Sequence, residues 1–131
     1  MSLERINPAT IHPPAGYSHI VKARAGTTAY ISGQVAIDPD GNIVGEGDIG
    51  AQAQQAFNNL RLAVVAAGGR VEQIAKVTTY VVDYAPEVRP ALAEARQAVF
   101  GDDPPASTLI GVQALALPQL LIEVEATVVM D

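Results

Sequence analysis

From Leu121 to Val129 the chain alternates without interruption: Ile122, Val124, Ala126 and Val128 point one way, and Leu121, Glu123, Glu125, Thr127 and Val129 the other. A period of two commits the segment, within a run from Leu120 to Val129, to a β-strand with one apolar face to bury. Lys76 to Asp83 repeats the pattern, with Val77, Thr79 and Val81 set against Thr78, Tyr80 and Val82 in a β-branched and aromatic run. Such strands need a layer of other elements over their apolar side.

Two helices supply it. Asp48 reads as an N-cap, and Ile49, Ala53, Ala56, Phe57, Leu60, Ala63 and Val64 follow at spacings of three and four, which gathers them on one helical face. Gln52, Gln55, Asn59 and Arg61 fall largely on the other side and read as its solvated face. Gly68-Gly69 stops the helix rather than cradling a phosphate, since no dinucleotide or Walker pattern accompanies it. Pro90 belongs in the first turn of a second helix that buries Leu92, Ala95 and Val99 and ends near Gly101. Earlier in the chain, Ile20 to Arg24 and Thr28 to Ser32 read as a hairpin around Ala25-Gly26-Thr27, and Asp38-Pro39-Asp40-Gly41-Asn42 as a tight turn. The stretch up to about Ser18, with Pro8, Pro13, Pro14 and Gly16, reads as an extended arm. After Asp102-Asp103-Pro104-Pro105 comes a strand from Ser107 to Leu115, joined around Pro118 to the last one.

The order ββαβαββ predicts an α+β domain spanning residues 1–131, with a mixed sheet and both helices on one face. The sheet face bearing Leu121, Glu123 and Val129 is then left for water or for another copy of the chain. Composition favours the second: 49% hydrophobic residues against 17% charged is apolar for a free monomer. A symmetric partner would also enclose polar side chains in clefts between copies. A net charge of −6 repels nucleic acid and anionic membranes. The absence of cysteine removes disulfides and thiolate chemistry, and no apolar run approaches a membrane span, so a cytoplasmic protein is expected. His12 and His19 lack metal-ligand spacing and read as structural or solvated, with neither expected to approach Ser107 as a base.

Tyr17, Ser32-Gly33-Gln34, Asp38-Pro39-Asp40-Gly41, Gln52 to Leu60, Ala66-Ala67-Gly68-Gly69, Lys76 to Val81 and Ile122 to Ala126 together resemble the RidA/YjgF family, also labelled endoribonuclease L-PSP, in order and spacing. The resemblance covers the chain from Tyr17 onward. It implies a chorismate-mutase-like fold, a homotrimer with central sheets and outer helices, and small-metabolite sites in the clefts between subunits. It further implies hydrolysis of 2-enamines and 2-imines to 2-keto acids and ammonia, a deaminase activity needing neither metal nor cofactor. Carried over by position, Glu123 matches the glutamate that positions or activates water, Tyr17 the N-terminal tyrosine and Ser32 the strand serine. Tyr17 and Ser32, with Gly33, Ser107 and Thr108, make up the candidate substrate-binding set. An arginine that clamps the substrate carboxylate would fall at Ser107, and a helix asparagine that lines the cleft at Ala93.

Serine at position 107 offers one neutral hydroxyl where a guanidinium offers a planar, charged fork. Efficient deaminase activity is therefore not expected unless another cation serves. Arg96 or Arg89, reaching in from a neighbouring subunit, are the candidates. A cleft with an acid and hydroxyls suits an uncharged or weakly anionic metabolite. A non-catalytic ligand-sensing or partner-binding trimer is the alternative, and ribonuclease action is disfavoured because no basic stripe with interleaved aromatics exists.

Overall fold

A computed structural model describes residues 3–24 and 26–131. Six strands and two α-helices follow one another as β1 (Leu3–Ile6), β2 (Ile20–Ala23), β3 (Thr27–Val35), α1 (Ile49–Ala66), β4 (Ile74–Val82), α2 (Arg89–Phe100), β5 (Ala106–Val112) and β6 (Ile122–Met130). A four-stranded sheet runs β3-β6-β4-β5, antiparallel except for the β4–β5 pair that α2 connects. The expected α+β architecture with a mixed sheet is thus the one observed.

The alternation in β6 is realised in full. Ile122, Val124, Ala126 and Val128 are buried with Val77 and Val81 of β4, against Ala53, Ala56, Phe57, Leu60 and Val64 of α1 and Leu92, Ala95 and Phe100 of α2. Both helices lie on this one side. Phe57 and Phe100 join them edge to face, with ring centroids 6.0 Å apart. Asp48 caps α1 as its sequence predicts, its Oδ1 accepting from the Ala51 amide at 3.1 Å. Pro90 occupies the first turn of α2, and Gly101 ends that helix with φ +59°. The turn at Asp38 forms as well, its carboxylate accepting from the amides of Asp40 and Asn42 at 3.0 and 2.9 Å.

Three expectations need correction. Residues before Ser18 are not only an extended arm, because β1 forms and pairs antiparallel with β2. The expected hairpin does not form: β2 pairs with β1, and β3 pairs with β6 from Thr27 opposite Met130 onward. The length of β6 decides this, since it gives β3 a long partner, whereas β2 has four residues. Ala25, in the turn assigned to that hairpin, lies outside the described residues.

Third, the amide face of α1 is not solvated. Gln52 is fully buried. Its Nε2 donates to the carbonyls of Gly45 (3.2 Å) and Gln119 (2.9 Å), and its Oε1 accepts from the Leu121 amide at 2.8 Å. Asn59 Nδ2 donates to the carbonyls of Val35 and Ile37, both at 2.9 Å, while Gln55 Nε2 donates to Asn59 Oδ1. At 100° per residue these three side chains run along the flank of the apolar stripe, where loop carbonyls come within reach. They tie α1 to the end of β3 and the start of β6, the two strand ends that bear Gly33 and Glu123. Truncating Gln52 strands those backbone groups in a dry interior. Gln52→Ala is predicted to lower the urea-unfolding free energy by at least about 2 kcal/mol at fixed protein concentration, against less than about 0.5 for Gln54→Ala on the exposed face.

Candidate functional site

Ser18 anchors the N-terminal segment to the start of β5. Its amide donates to the Pro105 carbonyl (3.0 Å), its hydroxyl to the Pro104 carbonyl (2.7 Å), and it bridges Ala106 in parallel. Arg5 reinforces the dock, donating to the carbonyls of Pro104 and Glu72 at 3.3 and 2.9 Å. The two residues before the anchor, Gly16 and Tyr17, are thereby laid beside Ser107. Together with α2 they enclose a cavity of about 510 Å³ lined by Tyr17, Ser107, Leu109, Arg89, Leu92, Ala93 and Arg96.

Arg89, Leu92, Ala93 and Arg96 are spaced i, i+3, i+4 and i+7, so one helical stripe sets two guanidiniums around an apolar middle. Leu92 is buried. The Arg96 guanidinium lies beneath the backbone of Gly16, whose φ of +78° suits a residue without a side chain; a Cβ there would stand 2.9 Å from Arg96 Cζ. Burial, and then the charge of Arg89, push Arg96 below the ordinary value for a guanidinium. Among the described residues neither arginine has an ion-pair partner. Within one chain both arginines considered for the Ser107 position therefore line the same cavity as Ser107.

Tyr17 is held from the other direction. Its hydroxyl shares a hydrogen bond of 2.9 Å with His12 Nε2, and its ring meets the His19 ring edge to face at 5.3 Å. His19 Nε2 donates to the His12 carbonyl at 2.8 Å, which fixes the proton on that nitrogen. The histidines thus brace the tyrosine and do not approach Ser107. Among the described residues no group of three or more His, Asp or Glu side chains is placed to hold a metal ion.

Glu123 lies elsewhere. Ser107 is in register with Val77, whose side chain faces the helices, whereas Glu123 is in register with Tyr80 on the opposite sheet face. Between Ile31 and Gln34 the β3–β6 register shifts by one, so Ser32 and Gly33 form a bulge facing Glu125. The Glu123 carboxylate rests on Gly33, occupying the space a Cβ would need there. Among the described residues it accepts no hydrogen bond. Thr108 also turns to this face, where its Oγ1 accepts from Lys76 Nζ at 2.6 Å. The candidates therefore divide into Tyr17, Ser107, Arg89 and Arg96 on the helix side, and Ser32, Gly33, Thr108 and Glu123 on the open side.

Tyr80 was absent from the sequence-derived set. Its hydroxyl donates to Glu125 Oε1 at 2.8 Å, beside Glu123. The hydrogen bond to Glu125, then burial and the two carboxylate charges, raise its pKa above the ordinary 10.0. Strand parity marks Tyr80 as facing the open side, but its partner follows only from the β4–β6 register. Because folding raises this pKa, the stabilisation is whole below about pH 10 and is lost as pH climbs through the higher folded value. In an alkaline absorbance titration one of the four tyrosines is predicted to ionise last. Tyr80→Phe should delete that late phase and Glu125→Gln should bring it forward; a titration curve unchanged in shape by either would contradict the assignment.

Comparison with known proteins agrees with this architecture. Residues 8–130 match the family model described as endoribonuclease L-PSP. A 2-iminobutanoate/2-iminopropanoate deaminase of Dermatophagoides farinae is 31% identical, with all of both chains covered. A Rid-family protein of Yersinia pestis, described as of unknown function, superposes with a TM-score of 0.94 at 42% identity, covering 99% of this chain and 100% of that one. RidA of an Antarctic Psychrobacter superposes at 0.71 with 29% identity, covering 91% and 92%. With its sheet order, its helix layer and nearly its whole length accounted for in this way, the chain belongs to the RidA/YjgF family, the endoribonuclease L-PSP family of the matching model.

Proposed function

We propose that the protein hydrolyses 2-imino acids to 2-oxo acids and ammonia in clefts between the subunits of a homotrimer, with Arg96 gripping the substrate carboxylate in place of an arginine at position 107. The observation that carries this reading is the cavity beside Ser107, lined by Arg96, half-buried and without an ion-pair partner among the described residues, and by the hydroxyl-bearing Tyr17 and Ser107. Desolvation and a like charge both burden Arg96, and an incoming carboxylate relieves both. Each charge-assisted hydrogen bond so formed is worth about 1.5–3 kcal/mol. Ser107 and Tyr17 add neutral donors. The sequence-based expectation of an uncharged or weakly anionic ligand narrows here to an anionic one.

Glu123 completes the chemistry from a second copy. It lies on the opposite sheet face from Ser107, so one chain cannot bring both to one substrate. The open face is suited to meeting that copy, with Tyr30 82% exposed and Ile110 39%. In the cleft Glu123 takes a proton from water as the oxygen adds to the imine carbon and passes it to the nitrogen, giving the carbinolamine. Glu123 then takes the hydroxyl proton as the C=O bond re-forms and delivers it to the nitrogen as the C–N bond breaks, so ammonia leaves and the carboxylate is restored. One water is consumed, with no change in oxidation state.

Relatives named as deaminases support the class of reaction. Generating an imino acid with an amino-acid oxidase and following its decay tests the proposal. The wild-type protein should accelerate decay, and Glu123→Gln should lower kcat by about 100-fold or more with little change in KM. Decay at the spontaneous rate in the presence of wild-type protein would refute it.

A further inference from the structure

The cavity has two cations where a simple imino acid needs one. Arg89 and Arg96 are separated by seven residues of α2, about 10 Å along the helix axis. Both line the same space, and the wall between them is Leu92 and Ala93. The chain carries 14 acidic residues against eight Lys and Arg, yet none of the described ones pairs with either guanidinium. Glu94, on the same helix, stands five residues from Arg89 and two from Arg96, spacings that turn it away from both. Placing two like charges around a half-enclosed space without a counter-ion is unfavourable until a ligand supplies the negative charge.

We propose that the preferred substrate is a dicarboxylic 2-imino acid, held by Arg96 at the carboxylate next to the imine and by Arg89 at the distal one. This rests on the reading given under Proposed function and narrows it. Arg96, wedged under Gly16 and half-buried, is the fixed fork of the cavity that Ser107 and Tyr17 also line, and the polar end of the substrate lies with it. Arg89, exposed at the start of α2, stands where the far acid would emerge. The methylene chain between the two acids lies along Leu92, Ala93 and Leu109, which offer carbon and no donors. A monocarboxylic acid leaves one fork empty.

Calorimetric titration at fixed ionic strength with the stable 2-oxo acids 2-oxoglutarate and 2-oxobutanoate reads this directly. The wild-type protein should bind the diacid about tenfold or more tighter, one charge-assisted contact's worth. Arg89→Gln should shrink that ratio to less than about threefold, while Arg96→Gln should weaken both acids by about tenfold or more. Equal affinities in the wild-type protein, no detectable binding of either acid, or an Arg89→Gln variant that keeps the full ratio would each overturn the proposal. Tight diacid binding without any acceleration of imine decay would keep the two-arginine diacid site and sink the hydrolase reading instead.

Discussion

A strand has two faces, and the hydrogen-bonded register of a sheet decides which residues of neighbouring strands share one. That constraint governs this molecule. β6 runs between β3 and β4, with Val124 and Ala126 toward the helices and Glu123 and Glu125 away from them. One residue of slip would expose the core of β6 and bury its carboxylates. The same parity separates Ser107 from Glu123 within one chain, since they belong to layers on opposite sides of one sheet. The tethers from Gln52 and Asn59 fix the loops at the ends of these strands and so help to hold the register.

The helix side carries its own logic. A serine at position 107 leaves the strand without a charge, and α2 packs against the same space with arginines at both ends of its apolar stripe. The N-terminal segment closes that space only because Ser18 is bonded to the residues that open β5. Gly16 then covers Arg96, and Tyr17 is braced by His12 and His19. In the proposed enzyme the cation for the substrate carboxylate comes from the helix that lies over this strand, a placement that changes the substrate while keeping the reaction.

Much of the fold could be read from local pattern, because helices and strands with one buried face write their period into the sequence. β4, β6, both helices, the Asp48 cap, Pro90 and the turn at Asp38 are all of this kind. Pairing partners are not written locally: β1 was invisible in four residues of mixed character, and β2 was assigned to the wrong neighbour. Gln52 looked solvated because composition cannot distinguish an exposed amide from one that satisfies buried carbonyls. In the site, the spacing of Arg89 and Arg96 around Leu92 was a legible sign, since charges at the ends of an apolar stripe face what the stripe faces. The distance from α2 to Ser107, the bulge beneath Glu123 and the Tyr80–Glu125 bond depend on tertiary register and needed the structure.

The central claim is that each site draws its guanidinium from one subunit and its carboxylate from another. Mixing subunits tests it most directly. Impaired Glu123→Gln and Arg96→Gln proteins, co-refolded in equal amounts and assayed at substrate well below KM, should rise above the mean of the two parents through the roughly one quarter of clefts that pair an intact Arg96 with an intact Glu123. Activity no higher than the mean of the two parents, with mixed trimers verified by mass spectrometry, would show that a single chain supplies both groups and would contradict the claim.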